Sequence, residues 1–129
     1  MVIRGLRDSP EFVAGDGTAL REILHPAKAD LAIRYSLAHA VLKPGGVSLR
    51  HRLSSSEVYC VLEGEGTMHI DGEARPVRTG DTVYISPGAV QHIENAGAGD
   101  LKFLCIVDPA WRQEGEEVLD GLAEKGGGR

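Results

Sequence analysis

Turn-forming clusters interrupt this chain so regularly that helices have little room in it. They fall at Pro44-Gly45-Gly46, Ser54-Ser55-Ser56, Gly64-Glu65-Gly66, Asp71-Gly72, Gly80-Asp81, Pro87-Gly88 and Ala96-Gly97-Ala98-Gly99. Between them lie β-prone runs, of which Val58-Tyr59-Cys60-Val61-Leu62 and Phe103-Leu104-Cys105-Ile106-Val107 are apolar enough to line an interior. Short extended segments punctuated in this way indicate an all-β fold, an antiparallel sandwich or barrel. At 129 residues the chain fits one domain. The expected division is an N-terminal arm or edge strand over 1–30, a barrel over 31–110, and a C-terminal segment with a short helix and flexible tail over 111–129.

Strand faces follow from alternation, because successive side chains point to opposite sides. Over Leu31 to Val41, the set Leu31, Ile33, Tyr35, Leu37 and Val41 carries His39 with it, and that face is expected to point inward. Tyr59 falls on the inward parity of its own run. Met68 and Ile70 lie opposite Thr67 and His69, with Asp71-Gly72 closing a tight hairpin to Ala74–Val77, which turns His69 to solvent. The helix is expected over Gln113 to Ala123, where Val118, Leu119 and Leu122 share one helical face. Lys125 to Arg129 has nothing to bury and reads as a disordered tail.

Charge narrows the partners. Fourteen basic residues against 19 acidic give a formal charge of −5, and no Lys/Arg stripe forms that could neutralise phosphates, so nucleic acid is excluded as a partner. No apolar stretch approaches the roughly 20 residues of a membrane-spanning helix, and Met1-Val2-Ile3-Arg4-Gly5 lacks the apolar region of a signal peptide. The expected setting is cytoplasmic, with no membrane partner. Cys60 and Cys105 lack CxxC spacing, and each sits in an apolar run where a reduced thiol packs as a small hydrophobe.

Two spaced boxes carry the strongest signal. The first reads Gly45-x5-His51-x-Leu53-x3-Glu57-x6-Gly64 and the second Gly80-x5-Ser86-x-Gly88-x2-Gln91-x3-Asn95. Together they resemble the cupin superfamily, whose boxes are G-x5-H-x-H-x3,4-E-x6-G and G-x5-P-x-G-x2-H-x3-N, over roughly Leu31 to Val107. The resemblance implies a double-stranded β-helix, the jelly-roll barrel, with a ligand held inside it.

It also implies a metal held by two histidines and a carboxylate of the first box and a histidine of the second. This chain departs twice: Leu53 stands at one histidine position and Gln91 at another, a neutral amide in place of an imidazole. The depleted set His51, Glu57 and Gln91 can hold a divalent transition metal (Fe, Mn, Ni or Zn) weakly or at partial occupancy, with His39 and His92 as alternates. His92 follows Gln91 directly and faces the other side of a regular strand. The competing reading is a hydrogen-bonded His51–Glu57 pair that positions a ligand without metal.

Two functions follow from the resemblance. One is a metal-dependent oxygenase, lyase or isomerase on a small oxygenated substrate, with His51, Glu57 and Tyr59 as candidate catalytic residues. The other is a non-catalytic cupin that binds or senses a small ligand. Trp111, after Asp108-Pro109-Ala110, is expected to plug a barrel end or a groove between subunits. Apolar residues on both faces of strands such as Val58–Leu62 call for a second covering layer, which a homodimer supplies.

Overall fold

The computed structural model describes residues 1–120. Its strands are β1 (Phe12–Val13), β2 (Ala19–Leu24), β3 (Ser36–Leu42), β4 (His51–Leu53), β5 (Ser56–Glu63), β6 (Glu65–Ile70), β7 (Glu73–Arg78), β8 (Thr82–Ile85), β9 (Gln91–Asn95), β10 (Leu101–Asp108) and β11 (Glu116–Val118). They form a six-stranded sheet in the order β1-β2-β3-β10-β5-β8 and a five-stranded sheet in the order β11-β4-β9-β6-β7. Every ladder pairing is antiparallel. The two sheets share one apolar core and make the double-sheet jelly roll that the boxes imply.

The turn residues do what their chemistry dictates. Asp71 and Gly72 both take positive φ, 49° and 83°, the signature of a tight hairpin turn whose twist matches its strands, here β6 and β7. Gly64, between β5 and β6, has φ 93°, and a Cβ there would lie 2.6 Å from the Asp100 carbonyl oxygen. No side chain fits at that crossing. Met68 is buried and His69 lies on the outer face, as alternation requires.

Two expectations give way. Over Gln113 to Ala123 the described part is not helical: Gln113–Gly115 is one 3-10 turn, and Glu116–Val118 is a strand on the edge of β4. The backbone groups of that edge need partners, and Glu116↔Leu53, Glu117↔Arg52 and Val118↔His51 supply them, helped by ion pairs from Arg52 to Glu117 and from Arg50 to Asp120. The rest of the expected helix and the tail Lys125–Arg129 lie outside the described residues.

The second concerns β3. Its inward residues are Ala38, Ala40 and Leu42, while His39 belongs to the outer face, opposite Arg21 and Leu104, and Tyr35 precedes the strand half-exposed. Both parities of this strand are apolar, so alternation alone does not choose between them. Pairing chooses: Ala40 opposite Phe103 and Ala38 opposite Cys105 set the phase. Cys60 and Cys105 occupy opposite faces of adjacent strands and are both free thiols. Among the described residues no helix is long and apolar enough to cross a membrane.

Candidate functional site

One end of the barrel is hollow. A cavity of about 610 Å³ lies there, walled by apolar side chains including Leu20, Leu49, Leu53, Phe103 and Val107. β4 directs His51 and Leu53 into it and Arg52 outward; β5 directs Glu57 and Tyr59 into it. Trp111 lines it too, its backbone N–H donating to Ser36 Oγ (2.9 Å).

Gln91 stands one layer behind the wall. On β9 it is opposite His51, 1% exposed, and its Nε2 donates to Glu57 Oε1 at 2.8 Å. Because β9 and β5 belong to different sheets, this bond ties the two layers together and braces the Glu57 side chain. Gln91 Oε1 is buried without a hydrogen-bond partner among the described residues. His51 Nδ1 lies 2.9 Å from the Leu49 carbonyl, which can only accept, so Nδ1 is the donor of that bond. Nε2 faces Asp16 Oδ2 at 3.8 Å.

Asp16 is the site residue that the boxes do not reveal. It lies in the turn between β1 and β2, where Oδ1 accepts from Thr18 N (3.1 Å) and Thr18 Oγ1 (2.8 Å). Its carbonyl also accepts from Leu49 N at 2.7 Å, which fastens the N-terminal strands to the segment leading into His51. Asp16-Gly17, between Val13 and Ala19, is a hairpin signal that would have marked this turn. Nothing local says that the aspartate reaches the barrel.

Burial sets the acid–base character of the wall. Glu57 is pushed up to about 7, chiefly by loss of water, against the opposing hydrogen bond from Gln91 and the field of His51. Burial also drives the Tyr59 hydroxyl and the Cys105 thiol well above their usual ranges. Neither His39 nor His92 lines the cavity. His39 is held below its ordinary pKa by burial, then by Lys102 and Arg21. His92 stacks on His69 at 4.0 Å on the outer face of the five-stranded sheet, and burial followed by His69 lowers its pKa.

These donors do not fit a resident divalent metal. Leu53 fills the inward place beside His51 with hydrocarbon, and Gln91 offers Glu57 an N–H instead of presenting an oxygen to the cavity. Among the described residues no three His, Cys, Asp or Glu side chains converge as a metal-holding group.

Two packed antiparallel sheets with a polar cluster inside one end make a jelly-roll barrel. The chain belongs to the cupin family: the family described as Cupin domain matches residues 38–107. It is 39% identical over 110 residues to an uncharacterized protein of Methanocaldococcus jannaschii, covering 84% of this chain and 87% of the relative. It is 30% identical over 112 residues to the oxalate-binding protein of Thermotoga maritima, covering 83% and 93%. Among solved structures, the nucleoside dehydratase Pac13 superposes with a TM-score of 0.75 at 18% identity over 92% of this chain and 91% of that one, a likeness of fold.

Proposed function

We propose that this chain binds a small organic ligand inside the barrel and does so without a resident metal. One observation carries the reading: the cavity wall presents Glu57, His51 and Tyr59 as polar groups, while the positions that would complete a metal set hold Leu53 and the withdrawn Gln91. A largely apolar pocket with a few fixed polar groups is the usual design of a small-molecule site. The name of the Thermotoga maritima relative supports a small ligand as the class. Binding or sensing needs nothing more; proton exchange at Glu57 near neutral pH is the one chemistry that this wall adds.

Metal analysis of protein purified without chelator tests the reading. The expected result is no stoichiometric transition metal and none gained on titration with Fe, Mn, Ni or Zn salts. A tightly bound ion lost in His51→Ala would overturn it in favour of a metal-dependent oxygenase, lyase or isomerase. Leu53→His, which sets a second imidazole on the inward face beside His51, is expected to create metal affinity that the natural chain lacks.

We infer further that the barrel pairs with a second copy. The outer face of the six-stranded sheet carries Val58, Leu104 and Ile106, with Leu62 and Tyr84 at 46% and 64% exposure. Apolar side chains on both faces of a sheet call for two covering layers. Light scattering that returns a monomer at high concentration would sink this inference.

A further inference from the structure

We propose that the cavity selects a small organic cation, an ammonium head on an apolar or aromatic body, and rejects carboxylates. The proposal rests on the metal-free reading of the site, since a bound metal would reverse its charge. Among the described residues, four carboxylates line the cavity, Asp16, Glu22, Glu57 and Glu116, against a single lysine. That lysine, Lys28, is already paired with Glu22. No arginine among the described residues lines the cavity, and His51 is its only histidine.

Two of these carboxylates are poorly compensated. Glu57 is 6% exposed; its Oε1 accepts from Gln91, and among the described residues no other hydrogen bond reaches the carboxylate. Asp16 commits Oδ1 to Thr18 and leaves Oδ2 directed at His51. Removing two carboxylates from water beside one histidine is costly, because among the described residues His51 is the one basic side chain facing both, and the burial-raised proton affinity of Glu57 expresses that cost. An ammonium ligand supplies the missing charge. A carboxylate ligand adds a like charge to a desolvated acidic wall, which repels it.

The rest of the wall suits the same ligand. Tyr59 and Phe103 pack with centroids 4.6 Å apart and planes tilted by 38°, and Trp111 also lines the cavity. Aromatic faces attract cations and pack against an apolar body. Tyr59, 2% exposed, makes no hydrogen bond through its hydroxyl among the described residues, which leaves its oxygen to accept from an ammonium N–H.

A charge series on one skeleton tests the proposal. 2-Phenylethylammonium, 2-phenylethanol and phenylacetate are titrated calorimetrically into the full chain at pH 8. The ammonium is expected to bind about tenfold or more tightly than the alcohol, with phenylacetate the weakest. In Glu57→Gln and Asp16→Asn, each shown to be folded by its thermal melt, the margin between ammonium and alcohol is expected to shrink to about threefold. Phenylacetate binding as tightly as the ammonium, or a margin unchanged in both variants, overturns the proposal. Equal binding of all three sinks cation selectivity and leaves the ligand cavity standing. Failure of all three to bind or to shift the melting temperature sinks both.

Discussion

The two ends of the barrel are built by the same strands and end up as opposites. Along β3, inward residues pass from Ser36 and Ala38 beside the cavity to Ala40 and Leu42 in the packed core. Along β5 they pass from Glu57 to Val61, and along β9 from Gln91 to Ile93. The packed end is closed by Leu42, Met68, Ile93 and Leu101, drawn from both sheets. Hollowness is therefore a gradient of residue size and polarity written along continuous strands, with no break in the ladder needed to open the pocket. The packed apolar core lies toward one end and the polar cavity groups toward the other.

Identical substitutions at the two ends test that division. Leu101, fully buried in the packed core, is expected to cost about 3–4 kcal/mol when changed to Ala, the transfer loss plus a new cavity. Leu53→Ala, in a wall that already faces open space, is expected to cost about 2 kcal/mol, because little further void is created. Urea melts of both variants measure the difference. Equal losses would mean that the hollow end is packed in solution.

Next in size is a pH effect confined to the hollow end. Glu57 holds its proton in the folded state up to about pH 7, whereas in the unfolded chain it releases it near 4.5. The folded state thus binds more protons across that window. The contribution of Glu57 is full below about pH 4.5, falls as pH rises to about 7, and is level above it, a total of about 3 kcal/mol. Glu57→Gln is expected to flatten this part of the pH profile. A wild-type stability that rises relative to the variant between pH 5 and pH 7 would show the carboxylate stabilised as an anion instead.

The packed end was more legible in the sequence than the hollow end, for physical reasons. Gly64, Asp71-Gly72 and the alternation around Met68 are local signals, and the structure places each as local chemistry requires. His51 and Glu57 were found by spacing within one short stretch, where inward parity carries through. Gln91 kept its parity, but whether it lines the cavity or stands behind Glu57 depends on the distance between sheets, which no spacing encodes. His39 was misphased because both faces of β3 are apolar and only pairing with β10 decides between them. Asp16 and β11 join the site through contacts 35 or more residues away, Asp16 with His51 and Glu116–Val118 with β4. Their own segments hold no trace of that destination.

The smallest expected effect contrasts the histidine inside the barrel with the pair outside it. His69 stacks on His92 across β6 and β9 and contacts Glu94 Oε1 at 2.8 Å, with all three half-buried or more exposed. Exposed pairs of this kind contribute little, so His69→Ala is expected to change stability by less than about 1 kcal/mol. Its informative readout is the titration of His92 by NMR. His92 lies below its ordinary pKa through burial first and the neighbouring His69 second, so removal of His69 moves it upward while partial burial keeps it short of the free value. His51→Ala, by contrast, removes the only imidazole in the cavity wall and is expected to weaken ligand binding with no movement of the His92 titration. Coupled movement of the two would show that the ligand cavity and the outer face of the five-stranded sheet do not act separately.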